Sequence, residues 1–72
     1  MQKLMQAIKQ RWYIQVRING AIFEEFYENL YTENGWPDTS WIEKYLRRKY
    51  GTRKIITWIR GISRTIIFDL YL

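Results

Sequence analysis

The sequence predicts a small α+β domain, a two-layer sandwich of order (α)-β-β-α-β-β that opens on an N-terminal hairpin. Three observations carry that reading. Trp12, Ile14, Val16 and Ile18 alternate with Tyr13, Gln15 and Arg17, the period of a half-buried strand. Asn19-Gly20 follows directly, and Asn-Gly after an alternating run signals a hairpin because both residues tolerate the positive φ of a type I′ turn. Ser40 to Gly51, SWIEKYLRRKYG, reads as one bounded helix. Ser40 and Glu43 have the spacing of a capping box, Lys49 suits the last turn, and Gly51 sits where a left-handed residue ends a helix. Ile42, Tyr45, Leu46 and Tyr50 form its apolar face, with Lys44, Arg47 and Arg48 opposite.

Taken in order, residues 1–10 place Leu4, Met5 and Ile8 on one side of a short, loosely packed amphipathic helix. A regular hairpin then pairs Ile18 with Ala21, Val16 with Phe23, Ile14 with Glu25 and Trp12 with Tyr27. On the other face it pairs Arg17 with Ile22, Gln15 with Glu24, Tyr13 with Phe26 and Arg11 with Glu28. Glu25 is the misfit, a carboxylate on an otherwise apolar face. Thr32 to Thr39 (TENGWPDT) reads as a loop, since Pro37 pushes Trp36 away from helical angles. Arg53 to Arg60 is rich in β-branched and aromatic residues and reads as a strand. Gly61-Ile62-Ser63 is a turn, and Arg64 to Leu72 alternates as a final strand. The whole is a single domain, residues 1–72.

A competing order stays open. Ile22, Phe23, Phe26, Tyr27 and Leu30 also fit a 3.6-residue period, so residues 21–31 can be read as a helix. The order then becomes α-β-α-α-β-β, that of winged-helix DNA-binding domains. Ser40 to Gly51 would be the recognition helix and Arg60 to Arg64 the tip of the wing.

The run YIQVRINGAIFEEF, a helix ending RRKYG and then RKIITWI together resemble small uncharacterised proteins of phages and mobile elements, across roughly residues 12–60. In these a basic hairpin precedes a helix ending in Tyr-Gly and a strand. Small phage inhibitors of host RNA polymerase are similar in outline, but this chain departs from them in being basic, so no binding residue carries across. The resemblance implies a phage or plasmid origin.

Seventy-two residues is near the size at which one core only just suffices. With no cysteine and no histidine, thiolate metal sites, disulfides and imidazole catalysis are excluded, and the lack of cysteine fits a reducing compartment. Four Trp, six Tyr and three Phe supply the burial instead. No run approaches the roughly 18 to 20 apolar residues of a membrane span, and the N-terminus lacks the apolar stretch of a secretory signal. A cytoplasmic protein is expected, inside the host cell if viral.

The net charge of +5 hides a segregation. Lys3, Lys9, Arg11 and Arg17 precede residue 20 without an acid. Glu24, Glu25, Glu28, Glu33, Asp38 and Glu43 then come without a base. Lys44, Arg47, Arg48, Lys49, Arg53, Lys54, Arg60 and Arg64 follow without an acid.

An enzyme is not expected. Ser40, Ser63 and the threonines lack an activating histidine, phosphate-loop motifs are absent, and Glu24, Glu25 and Glu28 read better as a solvated strand edge than as a metal or acid–base site. No cofactor is implied. The lead reading is a nucleic-acid-binding protein, with Lys44, Arg47, Arg48, Arg53, Lys54, Arg60 and Arg64 on phosphates. Trp58, with Tyr13 and Arg17 on the same sheet face, could form a stacking platform, although Trp58 between Ile56 and Ile59 reads more readily as core. The alternative is an inhibitor or adaptor that docks on a larger acidic host protein, anchored by Tyr31, Trp36 and Trp41. A homodimer through an edge strand is a third arrangement.

Overall fold

A computed structural model describes residues 8–72. Strands β1 (Ile8–Ile18), β2 (Ala21–Glu33) and β3 (Trp36–Pro37) precede a single helix, α1 (Ser40–Tyr50), and strands β4 (Lys54–Arg60) and β5 (Thr65–Tyr71) follow it. The five strands form one sheet of order β3-β2-β1-β5-β4. All neighbours are antiparallel except β1 and β5, which run parallel at the centre.

The expected two-layer α+β sandwich is corrected. Strand accounts for 62% of the described residues and helix for 17%, and the sheet curls into a nearly closed, barrel-like form. The two ends of the sheet approach each other at their turns, where the Gly35 carbonyl lies 3.9 Å from the position a Cβ on Gly61 would occupy. The physical reason lies in the core. Trp12, Ile14, Val16, Ile18, Leu30, Ile66, Phe68 and Leu70 all project from strands, and only Ile42 and Leu46 come from the helix. The curled sheet wraps its own apolar face, and α1 closes that interior rather than forming an equal second layer.

The winged-helix order is also overturned, because Ala21–Glu33 is a continuous strand paired with β1. Asn19 and Gly20 adopt φ of 49° and 88°, as an Asn-Gly turn requires. From there Ile18 faces Ala21 and Arg17 faces Ile22, but Val16 faces Glu24, so Phe23 is an extra residue in a β-bulge. Beyond it Ile14 meets Phe26, Tyr13 meets Tyr27 and Trp12 meets Glu28. The regular register expected from the turn would have put Phe26 and Leu30 on the outer face. The bulge reconciles the turn with the burial of Leu30, and it moves Glu25 off the core face. Arg11 consequently faces Asn29, and the expected Arg11–Glu28 pair does not form.

Thr32 to Thr39 is not a plain loop. Asn34 and Gly35, with φ of 54° and 76°, make a second two-residue turn, pairing Glu33 with Trp36 and Thr32 with Pro37. Proline is tolerated because β3 is an edge strand. Thr32 is buried and serves the core directly: its hydroxyl accepts the Trp12 indole N–H at 2.9 Å.

The expected capping box between Ser40 and Glu43 does not form. Thr39 is the N-cap, and the Asp38 carboxylate, two residues before Ser40, accepts the Ser40 backbone N–H at 3.1 Å and its hydroxyl at 2.8 Å. Glu43 accepts from the hydroxyls of Thr39 at 3.2 Å and Thr57 at 2.8 Å, tying the start of α1 to β4. Gly51 ends the helix left-handed at φ 67°, its N–H donating to the Arg47 carbonyl at 2.9 Å. The helix expected over residues 1–10 lies outside the described residues as far as residue 7, and Ile8 to Gln10 belong to β1.

Candidate functional site

Because side chains alternate along a strand, each strand that buries one set of residues displays the other on the outside of the sheet. On β1 the outward set is Lys9, Arg11, Tyr13, Gln15 and Arg17; on β2, past the bulge, it is Glu25, Tyr27, Asn29 and Tyr31. On β5 it is Thr65, Ile67, Asp69 and Tyr71, and on β4 it is Lys54, Ile56, Trp58 and Arg60. This outer face carries cations and aromatic rings in close pairs. The Arg11 guanidinium lies 4.3 Å from the Tyr27 ring centre, the Lys9 ammonium 5.1 Å from Tyr31, and the Lys54 ammonium 5.5 Å from Tyr71. Tyr13 and Tyr27 are neighbours across the strands, with ring centres 5.6 Å apart.

At the centre of the face stands Asp69. Its Oδ1 accepts from Arg17 Nε, and its Oδ2 accepts from Arg17 Nη2 and from the Trp58 indole N–H, each at 2.7 Å. This network crosses three neighbouring strands and is a bidentate, charge-assisted arrangement. The carboxylate is 6% exposed and its pKa is lowered, chiefly by the Arg17 hydrogen bond, against the opposing effect of burial. The guanidinium is correspondingly held more firmly protonated. The bond also fixes Trp58, which is 50% exposed rather than buried in the core, so its ring lies against the outer surface. The sequence reading favoured core because Ile56 and Ile59 flank it. Of these Ile59 packs against the core, and Trp58, one residue away, must point the other way.

Where β1 and β2 meet the β4–β5 turn, the outer face dips into an open groove of about 480 Å³, lined by Arg11, Tyr13, Tyr27, Ser63, Arg64 and Thr65. Arg64 occupies the left-handed region at φ 49° and closes the turn, its N–H donating to the Gly61 carbonyl at 3.3 Å. Tyr13 donates its hydroxyl to Glu25, and that bond is the main reason its pKa is raised. Two guanidiniums, two phenol rings and two hydroxyls thus converge on one concave place. Arg11, Tyr27, Ser63 and Thr65 were not singled out from the sequence, since their convergence depends on the parallel pairing of β1 with β5.

The seven basic residues expected on phosphates fall into two groups. Lys54 and Arg60 share the outer face with Trp58, Arg64 lies in the groove, and Arg53 precedes β4 at the sheet edge. Lys44, Arg47 and Arg48 are exposed on the side of α1 away from Ile42 and Leu46, whereas α1 covers the inner face. The structure does not bring the two groups into one patch. The expected protein anchors Tyr31, Trp36 and Trp41 are all exposed, at 56%, 68% and 50%. Trp36 and Tyr31 line a small cleft with Glu33 and Asp38, while Trp41 lies elsewhere, facing β2 across a groove.

Among the described residues no three acidic side chains gather where a metal ion could be held, and no helix is long and apolar enough to cross a membrane. No family model, curated protein or solved structure matches this chain. The likeness to phage and mobile-element proteins therefore rests on the sequence motifs alone.

Proposed function

We propose that this is a non-enzymatic, intracellular binding protein that holds single-stranded nucleic acid on the outer face of its sheet. The observation that carries the reading is the groove of Arg11, Arg64, Tyr13 and Tyr27, with the hydroxyls of Ser63 and Thr65 at its rim. Guanidiniums suit phosphate oxygens, and phenol rings suit the faces of unpaired bases, so the groove offers both chemistries within the span of one nucleotide. Trp58, held by Asp69, extends the stacking surface, and Lys54 and Arg60 extend the charge along β4. The net charge of +5 favours the encounter. A phage or plasmid origin suits a small protein of this kind.

Titration of the protein into a fluorescently labelled thymidine oligonucleotide, read by anisotropy at two salt concentrations, tests the reading. Binding should weaken steeply with salt, as counterion release requires. Tyr27→Ala should weaken it by about tenfold through lost stacking. Arg11→Ala and Arg64→Ala should each lower the slope of the salt dependence by about one. Tighter binding to duplex than to single strands, or indifference to all three substitutions, would refute the proposal.

A further inference from the structure

The long strand β2 is paired along one side only. β1 pairs with it from Ala21 to Thr32, but on the other side β3 reaches only Thr32 and Glu33, and the Asp38 N–H adds one bond to the Tyr31 carbonyl at 2.9 Å. The outward-facing backbone groups alternate from Tyr31, so those of Glu25, Tyr27 and Asn29 have no strand beside them among the described residues. An open edge of this length is a template for an added strand. Beside it, between β2 and α1, runs a groove of about 620 Å³ lined by Phe23, Phe26, Trp41, Ile42 and Tyr45, with Glu24, Glu25 and Glu28 at its rim. Phe23 and Trp41 are 59% and 50% exposed. The bulge contributes directly, since the extra residue turns Phe23 toward α1, where its ring meets Tyr50 edge-on at 6.3 Å.

The charge of the edge selects the occupant. Glu24 is neutralised by Lys49 at 2.7 Å, but Glu25 and Glu28 form no ion pair among the described residues. A second copy of β2 would bring another Glu24, Glu25 and Glu28 to the same seam, and like charges facing across strands destabilise the pairing. A copy's β4 carries bases, but Ile55 and Ile59, its inward side chains, already pack on its own core and cannot enter the groove. We propose that the free edge of β2 takes an extended cationic segment of a partner protein as an added strand, with one of its apolar side chains seated among Phe23, Phe26, Trp41 and Tyr45. Main-chain hydrogen bonds would hold the segment, and the groove and glutamates would select its sequence. The edge adjoins the nucleic-acid face, sharing Tyr27 with it and touching it through the Tyr13–Glu25 bond. The added strand would be held by backbone groups and the groove beside α1, so either site could fail without the other.

The probe is a synthetic peptide in which lysine alternates with valine around one central leucine, with a second peptide carrying glutamate for lysine. Calorimetric titration should show binding of the first peptide and not the second. Glu25→Lys, on the face that the lysines would share, should weaken it by about tenfold. Amide hydrogen exchange should slow at Glu25, Tyr27 and Asn29 when the peptide is present. The proposal is overturned if the lysine peptide fails to bind, if the glutamate peptide binds equally, or if protection appears elsewhere. Sedimentation showing the protein dimeric, with the edge amides already protected, would assign the edge to a second copy instead and also overturn it.

Discussion

The two faces of the same five strands are built on different principles. On the inner face Trp12, Ile14, Val16, Ile66, Phe68 and Leu70 are at most 1% exposed, and the Trp12 indole N–H is satisfied by Thr32. On the outer face stand Tyr13, Arg17 and Trp58, joined by hydrogen bonds to carboxylates and left partly open to water. The inner face carries the buried core of the fold. Aromatic rings that are half exposed and paired with cations add little to stability, and their cost to solubility makes sense if they meet a ligand.

The contrast breaks most visibly in stability. Phe68→Ala should cost about 3–5 kcal/mol in urea unfolding, a large share of what a domain this small possesses, whereas Trp58→Ala should cost far less. A similar cost for both would mean that the outer ring is part of the core.

Asp69 is the exception that sharpens the comparison, a buried carboxylate on the outer face. Asp69→Ala should cost about 1.5–3 kcal/mol, because Arg17 and Trp58 lose a charged partner. Its folded pKa lies below the ordinary value, so its contribution is complete above about pH 4 and is lost as the pH falls through the folded value. Glu24, held low first by Lys49 and then by Tyr50, acts in the same direction. Urea titrations between pH 2 and 6 (a range set roughly by carboxylate pKa values) should show a shallower acid loss in Asp69→Asn than in the parent.

Deleting Phe23 should have a smaller effect. It removes the bulge while leaving Ile18 opposite Ala21 and Val16 opposite Glu24, so the loss is limited to the contacts of Phe23 itself, chiefly with Tyr50, about 1 kcal/mol. A collapse of the fold on deletion would show that the bulge does more than set phase. Smallest of all, Lys44→Ala, Arg47→Ala and Arg48→Ala on the back of α1 should each change stability by less than about 0.5 kcal/mol, measured by thermal unfolding.

Much of this contrast was legible in the sequence. The alternation of Trp12 to Ile18, the Asn19-Gly20 turn and the left-handed Gly51 are local features, and the chain adopts them as local chemistry predicts. The bulge left a trace as well. Glu25 opposite Ile14 on an apolar face was a conflict between turn register and hydrophobic phase, and one inserted residue resolves it. The second Asn-Gly carried the same hairpin chemistry as the first, but Pro37 and the shortness of β3 disguised it. The sheet's curvature, the parallel pairing of β1 with β5 and hence the groove of Arg11 and Arg64 had no local signature. They follow from which strands meet, and residues more than fifty apart decide that.

The most direct test of the account is a titration of isotope-labelled protein with a thymidine oligonucleotide, following backbone amide and tryptophan indole resonances. The account predicts that shifts concentrate at Arg11, Tyr13, Tyr27, Trp58 and Arg64, while Lys44, Arg47 and Arg48 stay still. Shifts confined to α1, or none at low salt, would contradict it and place the function of this protein away from the outer face of its sheet.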